Sequence, residues 1–158
     1  MKKALLLLGF ICPAVFCYGQ KHLLSYDDLK FLLINNLQKA DTFMMAKGYT
    51  ITGKGNDAKN RNYTSSAPGG GHDDVNMRID GKKLFIEIQT NELEQYDIIH
   101  NSIAQFIDKN SQVADVQTYI VKDLGNIYIT VEDTAPYDPL KREYDIHIVS
   151  DKHITAYN

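Results

Sequence analysis

Between residues 75 and 88 apolar and polar side chains alternate almost without exception. Val75, Met77 and Ile79 are separated by Asn76 and Arg78; beyond Asp80-Gly81 the order resumes with Leu84, Ile86 and Ile88, separated by Phe85 and Glu87. A period of two puts successive side chains on opposite faces of a strand, and Asp-Gly between two such runs signals a tight hairpin. A two-residue turn at Asp80-Gly81 pairs Met77 with Leu84 and Val75 with Ile86, so both apolar sets lie on one face. A sheet that is apolar on one side must be covered there. This requirement limits the fold more than any motif in the chain does.

Two amphipathic segments can supply the cover. Ser25 opens the first, with Asp28 placed to complete a capping box. Leu29, Leu32, Leu33, Leu37, Ala40 and Met44 then recur at helical spacing as far as Gly48, a residue suited to a left-handed helix end. Asn91 opens the second, with Glu94 as its partner and a stripe of Leu93, Tyr96, Ile99, Ile103, Phe106 and Ile107. Strand signals follow the first helix at 49–53, 61–65, 75–80 and 84–89, and follow the second at 113–122, 126–132, 143–149 and 153–157. The order helix then four strands thus occurs twice, as pseudo-repeats of about 25–90 and 91–158 within a single domain spanning 20–158. The expected class is α+β: two tandem helix-then-four-strand repeats forming a mainly antiparallel sheet with two helices on one face.

The opposite face is then free. A two-residue turn at Leu124-Gly125 pairs Ile120 with Ile129 and Tyr119 with Thr130, which sends Tyr119 and Tyr128 to the open side. A three-residue turn around 151–153 sends His147 and Tyr157 there too. With Arg78 and Gln89 these form the expected ligand- or partner-binding set: Tyr119, Tyr128, His147, Tyr157, Arg78 and Gln89. A polar, Tyr-rich surface suits adaptable contact with a partner.

The first twenty residues, "MKKALLLLGFICPAVFCYGQ", have the form of a bacterial secretory signal: Lys2 and Lys3, an apolar run from Ala4 to Phe16, then Cys17 and Gly19 as small residues before a cut at Gln20. Segment 1–19 is therefore expected to be a signal peptide and the protein to be periplasmic or secreted. Large residues, Ile11 and Phe16, precede Cys12 and Cys17 and argue against lipidation. The apolar run is short for a membrane span, and no transmembrane segment is expected in the mature chain. Both cysteines lie in the signal, which leaves no disulfide and no thiol nucleophile. Loss of Lys2 and Lys3 makes the formal charge of −3 more negative still. An acidic exported protein is a poor match for nucleic acid.

"SAPGGGHDDVNMRID" is the stretch that looks most like chemistry. A phosphate cradle needs glycines that run from a strand into a helix; these glycines run into a strand, and the cradle reading fails. His72, Asp73 and Asp74 offer metal ligands, but adjacent residues seldom all turn toward one ion, and no His-x-x-x-His or similar ligand spacing is present. The segment is read as an inter-strand loop, with His72 and Asp73 as weak metal candidates. Asp145, His147 and His153 form the other weak cluster, near an edge hairpin. His22 is assigned to the N-terminal tail and His100 to a helix surface, while Tyr49, Tyr63 and Tyr96 are assigned to core packing. Ser65 and Ser66 have no adjacent base. No catalytic residue and no cofactor is expected.

The twice-repeated helix and four strands, with an uncovered aromatic and polar sheet face, resembles the β-lactamase inhibitory proteins in architecture. The segment "FIEIQTNELEQYDIIHNSI", residues 85–103, also resembles short exported bacterial proteins in which a strand leads into a Tyr-containing helix. The first resemblance implies an inhibitor-like binding protein. The leading expectation is a non-catalytic binding module for a protein or envelope ligand. The alternative is a hydrolase or metal-dependent enzyme using Asp145, His147 and His153.

Overall fold

Ser25 caps the first helix as its spacing predicts: its hydroxyl accepts from the Asp28 amide, and the Asp28 carboxylate accepts from the Ser25 amide. The computed structural model describes residues 22–54, 59–66, 70–80, 83–108, 116–132 and 142–151. The expected signal segment, His153 and Tyr157 lie outside them. Among the described residues the protein is α+β, with three helices and a seven-stranded antiparallel sheet. No helix among these residues is long and apolar enough to cross a membrane.

The first apolar stripe makes two helices rather than one, α1 (Tyr26–Ile34) and α2 (Leu37–Lys47). Asn35 and Asn36 break it between them. The Asn35 side chain donates to the Phe31 carbonyl at 2.8 Å, and the Asn36 side chain accepts from the Lys39 amide at 2.9 Å. Short amide side chains compete in this way for the backbone groups a continuous helix would use. Leu29, Leu32 and Leu33 of α1 and Leu37, Ala40 and Met44 of α2 are all buried, so the stripe keeps its role across the break. Gly48 ends α2 in the left-handed region at φ 99°.

Strands β1 (Thr50–Lys54), β2 (Asn60–Ser66), β3 (His72–Asp80) and β4 (Lys83–Thr90) form a meander. Helix α3 (Leu93–Ile103) follows, then a short 3-10 turn at Ala104–Phe106, then β5 (Gln117–Val121), β6 (Gly125–Glu132) and β7 (Glu143–Asp151). The sheet order is β1-β2-β3-β4-β7-β6-β5. The two halves therefore meet along β4 and β7, in the middle of one sheet.

Register departs from the sequence reading in two places, with different consequences. In the β3–β4 hairpin Met77 faces Ile86 and Asp80 faces Lys83. The pairing is displaced by two residues from the expected one, and a shift of two leaves every side chain on its face. In the β5–β6 hairpin Tyr119 faces Ile127 and Val121 faces Gly125. Three residues, Lys122 to Leu124, make this turn, closed by the Leu124 amide on the Val121 carbonyl at 3.1 Å. Gly125 follows at φ 94°, the arrangement of a three-residue hairpin loop with a glycine bulge. An odd displacement reverses the strand: Tyr119 and Val121 turn inward, and Ile120 turns outward.

The core lies between the inner face of the sheet and the helices. Val75, Met77, Leu84, Ile86, Ile88, Ile127, Ile129, Ile146 and Ile148 meet Leu29, Leu32, Leu33, Met44, Ile99 and Ile103 in one cluster. Tyr49 and Tyr63 join it, as the sequence suggests; the Tyr63 hydroxyl donates to Asp41 of α2 at 2.9 Å. The α3 stripe is narrower than its periodicity implies, since Leu93, Phe106 and Ile107 are exposed. Its N-cap is Glu92, not Asn91. Asn91 instead accepts from the His72 amide at 2.9 Å and donates to the Gly70 carbonyl at 3.3 Å, tying the start of α3 to the entry of β3.

Candidate functional site

Strand register assembles the open face from rows of directly paired residues. One row runs Asn62, Asn76, Glu87, His147, Tyr128, Thr118 across six strands. Beside it runs Thr64, Asp74, Gln89, Asp145, Thr130, and on its other side Asn60, Arg78, Phe85, Val149, Asn126, Ile120. Paired strands stand about 4.7–4.9 Å apart, so each row is a continuous strip of side chains. None of these residues falls in the buried core, and all three helices pack on the other side.

The middle of the face carries its charge. His147 Nε2 lies 2.8 Å from Asp145 Oδ2, and Glu87 is the cross-strand neighbour of His147. One ligand atom each from Glu87, Asp145 and His147 fall within 4.8 Å of one another. Asp145 Oδ1 is buried without a hydrogen-bond partner although the side chain as a whole is part exposed. Gln89 donates to Glu87 Oε1 at 3.3 Å. Tyr128 projects next to His147, and its hydroxyl accepts from Asn126 at 3.4 Å. Toward one end the Arg78 guanidinium sits over the Phe85 ring, 4.8 Å from its centroid, which holds a long cation flat against an aromatic surface. A shallow hollow of about 250 Å³, lined in part by Thr52, Asn62, Asp74, Asn76, Glu87 and Gln89, opens beside the acidic centre.

Of the residues nominated from sequence, Arg78, Gln89, Tyr128 and His147 share this face. Tyr119 does not. It is 1% exposed and lies beneath α3, edge-on to His100 with ring centroids 6.0 Å apart. The odd-length β5–β6 turn is the cause, and it withdraws Tyr119 from the binding set. Tyr157 and His153 fall outside the described residues. Asp145 and His147 do come together, and among the described residues Glu87 is their neighbour. His72 and Asp73 separate, as strand alternation demands: Asp73 is fully buried on the inner side, while His72 is part exposed. Sequence reasoning missed Glu87 as a member of the cluster. The signal was present in the polar alternation of β4, but the β4–β7 pairing that brings Glu87 to His147 spans sixty residues of chain and no local pattern encodes it.

No protein-family model, no curated protein and no solved structure matches the chain. The geometry of the face itself carries the functional reading.

Proposed function

We propose that the chain is an exported, non-catalytic binding module that presents the open face of its sheet to a protein or envelope ligand. One observation carries this reading: among the described residues a sheet of seven strands is covered by helices on one side only, and the other side sets Tyr128, His147, Glu87, Asp145, Gln89, Arg78 and Phe85 side by side. Tyr supplies contact area and a hydroxyl at small entropic cost, and Arg held flat on an aromatic ring is pre-organised for an acidic or planar group. The resemblance of the sequence pattern to the β-lactamase inhibitory proteins points to a protein ligand, bound in an inhibitor-like way.

The second reading is a hydrolase or metal-dependent enzyme built on Asp145 and His147, with His153 as the third expected member. The 2.8 Å contact favours it, because a carboxylate fixed on an imidazole sets its tautomer and prepares it as a general base or ligand.

The two readings separate in one comparison. Immobilised wild type and a Tyr128→Ala/His147→Ala variant are exposed to the same envelope extract, and denaturant unfolding is followed in parallel. The binding reading expects the variant to lose a specific partner at least tenfold while its stability stays within about 0.5 kcal/mol per site of wild type, as for other surface changes. Equal capture by both proteins, with metal-dependent turnover of an ester or phosphoester that Asp145→Asn abolishes, would favour the enzyme instead.

A further inference from the structure

Among the described residues Asp73 is the buried acidic side chain. It is 0% exposed on the inner side of β3, against the end of the core. Its Oδ1 accepts from the Thr90 hydroxyl, its cross-strand partner, at 2.5 Å. Its Oδ2 makes no hydrogen bond of ordinary geometry, although the Tyr49 hydroxyl and the His22 imidazole stand against it. Burial pushes the Asp73 carboxyl above the usual carboxylate range, against the hydrogen bond from Thr90. A buried carboxylate oxygen left bare is costly unless something positive meets it.

What it faces is a convergence of three elements. His22 Nε2, just ahead of α1, stands 3.8 Å from Asp73 Oδ2 and 3.0 Å from Glu92 Oε2 at the start of α3. All three ligand atoms lie within 4.8 Å of one another. Glu92 Oε1 and the Tyr49 hydroxyl are also buried there without a partner in ordinary hydrogen-bond geometry. The Tyr49 phenol is pushed far upward, first by burial and then by the charges of Asp73 and Glu92.

The surroundings hold the three groups in place. Glu92 occupies the N-cap of α3 yet makes no capping bond with its side chain, which turns to His22 instead. The Thr90 hydroxyl accepts from the Glu92 amide while donating to Asp73, coupling the two acidic residues. A β-carbon at Gly71 would collide with the Glu92 carboxylate, so the last glycine of the "GGGHDD" stretch leaves the space that Glu92 fills. His22 is positioned from behind: Gln95 of α3 clamps both the amide and the carbonyl of Leu24, at 2.7 and 2.9 Å, and Lys47 donates to the Leu23 carbonyl at 2.8 Å.

We propose that His22, Asp73 and Glu92 form a binding site for one divalent transition-metal ion of the zinc class, which fastens the segment before α1 to the end of the sheet. Donors about 2.0–2.2 Å from a tetrahedral zinc stand about 3.3–3.6 Å from each other, and the His22 contacts of 3.0 and 3.8 Å bracket that spacing. One imidazole with two carboxylates selects zinc, manganese or iron over calcium and magnesium, which take oxygen donors almost exclusively. The ion supplies positive charge to Asp73 Oδ2, and the Tyr49 hydroxyl is a further polar group against the site. This inference is independent of the open face, from which Asp73 points away.

Titration of the chelator-stripped, untagged mature chain, beginning at Gln20 and so free of Cys12 and Cys17, with zinc sulfate in a calorimeter tests it, with thermal unfolding followed at each zinc level. The expected result is one ion per chain and a melting temperature that rises with zinc. His22→Ala, Asp73→Asn and Glu92→Gln should each weaken binding at least tenfold and lose the zinc-dependent rise, while His72→Ala keeps both. Asp73→Asn retains the shape and the Thr90 partner, so a folded, zinc-blind Asp73→Asn protein by circular dichroism is the decisive form. Cobalt(II) in place of zinc should give the visible absorption of a low-coordinate site in wild type and lose it in Asp73→Asn. Absence of saturable zinc binding to wild type, unchanged affinity in the three variants, or loss of binding in His72→Ala alone would each overturn the proposal.

Discussion

Tyr119 carries its phenol into the layer between β5 and α3, where the hydroxyl donates to Gln117 at 2.6 Å. Burial, reinforced by Tyr96, pushes this phenol above its ordinary value of 10.0. Tyr96, stacked on Tyr144 with centroids 4.4 Å apart, is raised as well, again chiefly by burial. The folded state then keeps protons that the unfolded chain releases. Stability supplied by the neutral phenols is complete below pH 10 and falls as the pH climbs above it. Urea unfolding between pH 8 and pH 11 should show stability dropping across the upper part of that range, and Tyr119→Phe should make the drop shallower; an identical slope in the two proteins would mean that Tyr119 ionises as freely folded as unfolded. That Tyr119 belongs inside was not legible from its own strand. In "QTYIV" both faces hold an apolar residue, Tyr119 and Val121 on one and Ile120 on the other, so alternation leaves the choice open. His22 was hidden for another reason: its partners are fifty-one and seventy residues away in the chain, and only the folded sheet brings them to it.

At the scale of elements, the β5–β6 turn decides which side of the sheet its strand shows. The sequence did hold the clue. A two-residue loop accepts glycine at its first central position or needs positive φ at both, and Leu124-Gly125 puts leucine where φ would be positive. A three-residue loop followed by Gly125 removes that conflict. Gly125 at φ 94° also runs close beneath β7, where an added β-carbon would strike the Val149 carbonyl oxygen and the Ser150 α-carbon. Gly48 has a similar φ of 99°, but an added β-carbon there meets nothing within 4 Å. The pair separates conformation from collision. Gly48→Ala should cost about 1–2 kcal/mol from the left-handed backbone alone. Gly125→Ala should cost distinctly more, about 3 kcal/mol or above, because fixed backbone of a neighbouring strand has to move as well. Denaturant midpoints at constant m-value measure both, and equal costs would mean that β6 and β7 separate easily at this end. The helix break at Asn35-Asn36 shows the same limit on legibility. Apolar spacing reads through the break, since both helices bury the same stripe, and only the capping chemistry of two adjacent asparagines reveals it.

The whole molecule hangs on the seam between β4 and β7. The sequence shows helix-and-strand order twice over, but order within each half does not say which strands join the halves. In the structure β4 pairs β7 along its full length, with Ile86 on Ile148 and Ile88 on Ile146 at the centre of the inner face. All four are at most 1% exposed. Each seam strand has a neighbour on both sides, β3 for β4 and β6 for β7. The outer strands are less secured. Among the described residues β1 pairs β2 alone, through a register irregularity between Ile51 and Gly53, and β5 pairs β6 over five residue pairs and meets on its other side a single bridge from Ile107 to Tyr119. Local opening costs least where few buried contacts are lost, so amide exchange should grade outward from the seam. The amides of Ile86, Ile88, Ile146 and Ile148 should exchange last and share one free energy, that of global unfolding. The segments 50–54 and 117–121 should exchange at least tenfold faster. A common plateau across β3, β4, β7 and β6 would identify the two halves as a single cooperative unit, in keeping with the one continuous core that Met77, Ile86, Ile127 and Ile146 share with all three helices. Separate plateaus for 60–90 and 125–150 would show instead that each half opens alone and that the seam is a docking contact between two folding units.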